Sequence, residues 1–277
     1  MNDRYQSTFA QLKEKNKSAF IPFWMIGDPS TEKSFEVIDT IAAHADILEL
    51  GMPFSDPLAD GPTIQASVTR ALAAGTNTEK CFEVIAKVRN KYPEKPIGLL
   101  VYFNLAIQYG LDAFFRKCAA VGVDSVILPE LPIESITMTD PTSSPQGEGL
   151  GVGVSIIEIA QKHKIHLTFL VSTNTPDDRL AAISEHASGF LYAISKPSIT
   201  GAKSDLAPET TQMVQELKQK TDIPIVVGFG ISEPSHVQAL TKVGTDGIII
   251  ASKLYEFQDN LEKMSEFCKN CQEATIK

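Results

Sequence analysis

Ile47-Leu48-Glu49-Leu50-Gly51-Met52 is a short apolar run carrying a single carboxylate, and it leads directly into Pro53-Phe54-Ser55-Asp56-Pro57-Leu58-Ala59-Asp60-Gly61-Pro62. A few aliphatic residues bounded by turn formers read as a strand buried on both faces. Burying an unpaired ionised carboxylate costs several kcal/mol or raises its pKa, so a strand core is a poor place for Glu49 without a purpose. A second acid, Asp60, follows in the Pro- and Gly-rich loop just before a helix. Two carboxylates held by a strand and its following loop can supply a tuned general acid/base pair. Equally, Glu49 can pair with a buried Lys or Arg while Asp60 merely caps the helix. The pattern alone leaves both readings open.

The same texture recurs along the chain. Short apolar, β-branched runs occupy 20–26, 47–52, 97–103, 125–131, 167–171, 190–194, 225–227 and 247–251. Between them lie amphipathic stretches at 32–43, 64–74, 78–91, 111–121, 154–163, 177–186, 207–220 and 235–243. Within 78–91, Cys81, Phe82, Ile85 and Val88 recur at three- and four-residue steps, the helical period. Several of these stretches open on a capping residue or Pro, as at Ser30-Thr31-Glu32 and Ser232-Glu233-Pro234. Eight strand signals alternating with helices predict an α/β fold, a (β/α)₈ barrel, as one domain over 1–277. The alternative is a doubly wound open sheet, but no GxGxxG fingerprint follows the first strand. Residues 1–17 read as an extra N-terminal helix over the barrel's bottom. Residues 136–153, rich in Ser, Thr, Pro and Gly, break the rhythm after the fourth strand and read as an inserted flexible loop over the active face.

Composition excludes several function classes. With 277 residues and 43% hydrophobic content the chain can bury a large core. The net charge of −9 is well mixed and leaves no basic stripe for nucleic acid. No apolar run approaches the roughly 20 residues of a membrane span. The N-terminal Met1-Asn2-Asp3-Arg4-Tyr5 carries no signal-like apolar segment. The four cysteines form no disulfide framework, and Cys268 and Cys271 show CxxC spacing without a second ligand pair. A cytoplasmic, reducing setting is expected, with no metal.

A second chemical signal sits at the end of the chain's strand pattern. Strand seven ends in Gly228-Phe229-Gly230-Ile231-Ser232, strand eight in Ile249-Ile250-Ala251-Ser252, and strand six is followed by Ser195-Lys196-Pro197-Ser198-Ile199-Thr200-Gly201. Loops after the last barrel strands often bind phosphate through backbone N–H groups and a helix N-terminus. Each cluster alone is ordinary turn chemistry. Three after adjacent strands point to a phosphate site.

The Leu48–Gly61 stretch with Pro62-Thr63-Ile64-Gln65 resembles the α subunit of tryptophan synthase. Matching pieces are Pro22-Phe23, Gly27-Asp28-Pro29, Gly98-Leu99-Leu100, Gly122-Val123-Asp124, Thr200-Gly201-Ala202 and Gly228-Phe229-Gly230-Ile231, so the likeness runs from Tyr5 to the last helix. The resemblance implies a (β/α)₈ barrel that cleaves indole-3-glycerol phosphate to indole and glyceraldehyde 3-phosphate, with no cofactor of its own. It implies a partner, a pyridoxal-phosphate-bearing β subunit, in an α₂β₂ complex of mutual activation. By the same resemblance, Glu49 is the general acid/base and Asp60 bonds the indole N–H. Phe23, Leu100, Tyr102 and Tyr192 line the indole pocket, Thr200 closes over Asp60, and Gly201, Gly228, Phe229, Gly230, Ala251 and Ser252 serve the phosphate region. Pro53, Asp56 and Pro132 lie on loops facing the β subunit.

Departures from the family pattern are Met25 for a small residue, Glu130 for Asp, Lys196-Pro197-Ser198 for an Arg-Ser-Gly-like stretch, and Ala251 for Gly. They touch loop closure and phosphate capture and spare Glu49 and Asp60. Two expectations therefore stand: an active carbon–carbon lyase, or a catalytically weakened subunit retained as an activator of its partner.

Overall fold

Strands this short and this apolar can satisfy their backbone only by pairing on both edges, and the chain does so by closing on itself. A computed structural model describes residues 3–133, 155–194, 208–228 and 230–277. Among them, eight parallel strands form a closed barrel in chain order: β1 (Ala19–Met25), β2 (Leu48–Gly51), β3 (Ile97–Leu100), β4 (Ser125–Ile127), β5 (His166–Ser172), β6 (Leu191–Ile194), β7 (Ile225–Gly228) and β8 (Gly247–Ile250). The helices are α1 (Arg4–Glu14), α2 (Thr31–Ala42), α3 (Pro62–Ala73), α4 (Thr78–Lys91), α5 (Phe103–Tyr109), α6 (Leu111–Val121), α7 (Ile156–Lys162), α8 (Asp177–His186), α9 (Pro208–Lys220), α10 (Pro234–Val243) and α11 (Leu261–Glu273). A 3₁₀ turn, Ser252–Phe257, follows β8. None of these helices is long and apolar enough to cross a membrane.

The barrel confirms the expected α/β architecture. Its register also decides which residues meet. Phe23 of β1 stands opposite Glu49 of β2, Glu49 opposite Gly98 of β3, and Gly98 opposite Ser125 of β4. One level higher, Met25 and Leu100 both oppose Gly51. A Cβ on Gly51 would come within 2.6 Å of Phe23 Cζ and 2.8 Å of Met25 Cε. Only glycine lets both side chains fill that level.

The N-terminal helix does close the bottom, as its pattern predicts. The Asp3 side chain caps it by accepting from the Gln6 N–H. Tyr5 is buried, and its hydroxyl lies 2.9 Å from Ser125 Oγ inside the barrel floor. Arg4 and Arg89 both bind the carboxylate of Asp124, at 2.8 and 2.6 Å.

Two strands are shorter than their apolar runs predict. The run 97–103 yields β3 only to Leu100, because Tyr102 already caps α5 and Phe103 opens it. The run 125–131 yields β4 only to Ile127. Pro129 has no N–H for a ladder bond, and apolar content in a short segment does not separate strand from buried turn. The insertion 136–153 lies outside the described residues. All four cysteines are unpaired and buried, and no metal-holding cluster occurs among the described residues.

Candidate active site

β2 carries Glu49 into the barrel between Phe23 and Gly98, where it is 2% exposed. Its Oε2 has no hydrogen-bond partner among the described residues, and no Lys or Arg pairs with it. Among the described residues, then, nothing makes Glu49 a structural ion-pair member. Burial, reinforced by the nearby charge of Asp60, raises its pKa to about 8.

Asp60 does not cap α3 either. Gly61 is the N-cap and makes no side-chain capping bond, while Pro62 supplies the preset φ of the first turn. The half-buried Asp60 is held instead by Tyr102, whose hydroxyl donates to Oδ2 at 3.1 Å and accepts the Ala59 N–H at 2.9 Å. Gln65 Nε2 donates to the Asp60 carbonyl at 2.9 Å. Burial raises the Asp60 pKa, the Tyr102 bond opposes that, and the Glu130 charge adds to it. The loop is anchored from below by α3. Arg70 grips Asp28, in the turn after β1, with two bonds of 2.7 and 2.8 Å.

Around these acids lie the expected pocket residues. Phe23 is buried beside Glu49, and Leu100 is half-buried at the end of β3. Tyr192 stands on β6, opposite Leu170 and Val226. Gly228, at the end of β7, accepts its ring: a Cβ there would sit 2.5 Å from the Tyr192 hydroxyl. Burial, and then the charges of Glu49 and Asp60, push the Tyr192 pKa up. These three groups therefore share one interior. Met25 is buried above Phe23, and its N–H donates to the Tyr255 hydroxyl at 2.9 Å.

The loops expected to bind phosphate are described only in part. Gly230 adopts a φ of 70° with open space where a Cβ would project. Ala251 precedes the 3₁₀ turn that Ser252 begins, and Ser252 is exposed. Thr200, Gly201 and Phe229 lie outside the described residues, as do Lys196 and Pro197. Of the residues expected to face a partner, Asp56 and Pro132 are exposed and Pro53 is buried beneath its loop.

Sequence reasoning missed the reach of Tyr5 and the contact that Glu130 makes. Tyr5 projects from the extra helix into the field of Glu49, whose charge raises its pKa further beyond the effect of burial. Glu130 accepts the N–H of Phe103 through its carboxylate. In the sequence Glu130 stands out only as a departure from the family pattern, and nothing marks Tyr5. A cavity of about 410 Å³ opens where β4, β5 and β6 end, lined in part by Glu130, Pro132, Ser172, Thr175 and Arg179. A cleft of about 390 Å³ lies at the opposite, bottom face beside Asp46 and Lys95. Barrel chemistry belongs to the upper face, so the bottom cleft is not the site.

The sequence profile described as tryptophan synthase alpha chain matches residues 9–147 and 151–276. A tryptophan synthase alpha chain of Aliivibrio fischeri is 42% identical over 284 residues, covering 99% of this chain and 100% of the relative. That of Photobacterium profundum is 39% identical over 282 residues, covering 99% and 98%. Among solved structures, the tryptophan synthase alpha chain of Legionella pneumophila superposes with a TM-score of 0.84 at 28% identity, covering 99% of this chain and 98% of that one. Tryptophan synthase of Mycobacterium tuberculosis gives 0.82 at 26% identity, covering both chains fully at 100%.

Proposed function

The chain belongs to the tryptophan synthase alpha chain family, lyases of tryptophan biosynthesis, and on that premise we propose that Glu49 and Asp60 carry out a retro-aldol cleavage of indole-3-glycerol phosphate. The observation that supports this most is the state of Glu49. A carboxyl group buried with no partner among the described residues, its pKa raised to about 8, holds its proton at neutral pH yet can release it. Glu49 first donates that proton to indole C3, giving the tetrahedral indolenine. The resulting carboxylate then takes the proton of the 3′-hydroxyl. The bond between C3 and C3′ breaks, its electron pair returns to the ring, and glyceraldehyde 3-phosphate leaves as the aldehyde. Proton count and charge balance over the two steps.

Asp60 bonds the indole N–H and stabilises the positive charge that builds there. Phe23, Leu100 and Tyr192 hold the indole ring. Tyr102 bounds the pocket beside them while it holds Asp60. Gly230, Ala251 and Ser252, with Gly201 and Phe229, receive the phosphate, and Thr200 closes over Asp60. The reaction draws on no cofactor of this chain. Pyridoxal phosphate belongs to a β subunit that docks on the loops of Asp56 and Pro132 in an α₂β₂ assembly, with each subunit activating the other. The unpaired thiols suit a cytoplasmic setting.

The second reading, a weakened subunit kept as an activator, draws on Ala251 at the anion site. Retention of both carboxylates, one with a pKa suited to proton exchange, favours the lyase. The test measures indole release from indole-3-glycerol phosphate by the chain with a β subunit, and separately indole-plus-serine turnover. Glu49→Gln should abolish the first and spare the second. Equal loss of both, with loss of fold, would make Glu49 structural and end the proposal.

A further inference from the structure

Glu130 follows β4, and its carboxylate accepts the backbone N–H of Phe103, the first residue of α5. First-turn N–H groups of a helix need an external acceptor. Tyr102, the N-cap residue of α5, makes no side-chain capping bond. Its hydroxyl is engaged elsewhere, donating to Asp60 at 3.1 Å and accepting from Ala59 at 2.9 Å. Phe54 stacks on the Tyr102 ring at a centroid separation of 5.2 Å. Tyr102 thus spans two loops, and the β4 segment supplies the acceptor that its own side chain does not.

We infer that Glu130 is a positioning residue: by clamping the peptide of Phe103, it holds Tyr102 where the tyrosine hydroxyl orients Asp60. The inference rests on the lyase reading, because the aim of Asp60 matters only if Asp60 meets substrate. A generic cap would serve the helix alone. Here the capped residue's neighbour touches the acid, so a shift of the clamp reaches the reacting site in two contacts. Displacements of about 1 Å can cost on the order of a hundredfold in rate.

Among the described residues, the titratable groups that interact with Asp60 are Glu49 from β2, Tyr192 from β6, Tyr102 from the β3–α5 turn and Glu130 from the β4 segment. Arg179 of α8 lines the same cavity as Glu130. The Glu130 charge raises the proton affinity of Asp60. Glu130 therefore has two separable effects, one through its acceptor oxygen and one through its charge. Gln keeps an acceptor and removes the charge; Ala removes both.

The experiment compares E130A, E130Q, Y102F and E130A/Y102F as α chains in complex with a β subunit. It reads kcat, KM for indole-3-glycerol phosphate, the pH profile of kcat/KM, and amide exchange across 101–109. E130A should lower kcat about tenfold with little change in KM and speed exchange in α5. E130Q should restore most of kcat and slow exchange again, while moving the acidic limb to lower pH. In the Y102F background E130A should add almost nothing, since both changes act through one contact. Should E130A prove unstable, the E130Q limb shift and the exchange of Y102F against wild type still decide. Multiplying effects in the double variant, or equal damage by E130Q and E130A, would overturn the inference. A wild-type complex that releases no indole would instead sink the lyase reading, and with it any positioning role.

Discussion

Asp124 at the floor of this barrel and three acids at its mouth are treated in opposite ways. At the bottom, Asp124 accepts from Arg4, from Arg89 and from the Ile97 N–H, at 2.8, 2.6 and 2.8 Å. At the top, Glu49, Asp60 and Glu130 converge, and among the described residues none of them has a Lys or Arg salt-bridge partner. Their pKa values are all raised, in each case chiefly by burial. Matched charge at the floor ties α1, α4 and the strands together. Unmatched acid at the mouth costs stability and leaves Glu49, its pKa raised to about 8, able to exchange a proton near neutral pH. The fold therefore holds its strain where the substrate would arrive.

The sharpest way to break that contrast is Glu49→Gln, which should reduce indole release by at least about a thousandfold, as expected when the single proton-transfer group is removed. The same variant tests the cost of the unpaired acid. The folded pKa of Glu49 lies above its unfolded value, so the native state binds the extra proton between pH 4.5 and about 8. Its contribution to stability is full below that window and is lost as pH rises through it. Urea unfolding of the wild type should show that decline, and E49Q should flatten it by up to a few kcal/mol, at about 1.4 kcal/mol per unit. An unchanged slope would mean that Glu49 is solvated.

The converse change is Arg89→Ala at the floor. It removes bonds to Asp124 and to the Gly122, Tyr92, Pro93 and Lys95 carbonyls. Unfolding free energy should fall by about 2 kcal/mol, as expected when a guanidinium's hydrogen bonds are lost while Asp124 keeps Arg4 and the Ile97 N–H. The pH profile of the complex should stay where it was. A moved profile would show that the two ends are coupled.

Tyr102→Phe should lower kcat about tenfold and move the acidic limb of kcat/KM upward, because the tyrosine bond lowers the Asp60 pKa. That direction is opposite to the one expected for E130Q, which makes the pair a check on sign as well as size. The smallest effect is expected for Ala251→Gly. By relieving one methyl at the anion site, it should tighten glycerol phosphate binding a few-fold, roughly the value of one modest hydrogen bond. A flat titration would remove the obstruction.

Much of this was legible in residue order. The alternation of β-branched runs with amphipathic stretches announces the barrel, and the lone carboxylate in 47–52 marks the candidate site. Resemblance supplied the substrate and the partner; spacing could not. What stayed hidden is instructive. β3 and α5 share one apolar run, because a strand end and a short buried helix want the same residues. Tyr5 was legible only as part of the extra helix over the bottom, and its contact with Ser125 through the barrel floor was not. Glu130 looked like a substitution near the pocket, and its bond to the Phe103 N–H depends on two loops that meet only after the barrel closes.

Residue types and their order determined the strand and helix periods, the presence of an acid within a strand, and the glycines at tight places such as Gly51. Closure of the sheet alone decided that Glu49 meets no counter-ion among the described residues, that Tyr102 rather than α3 receives Asp60, and that Arg4 and Arg89 meet at Asp124. The physical reason is distance. Local pattern sets which faces are apolar, whereas a side chain's pKa depends on charges and dielectric brought near it by residues tens of positions away.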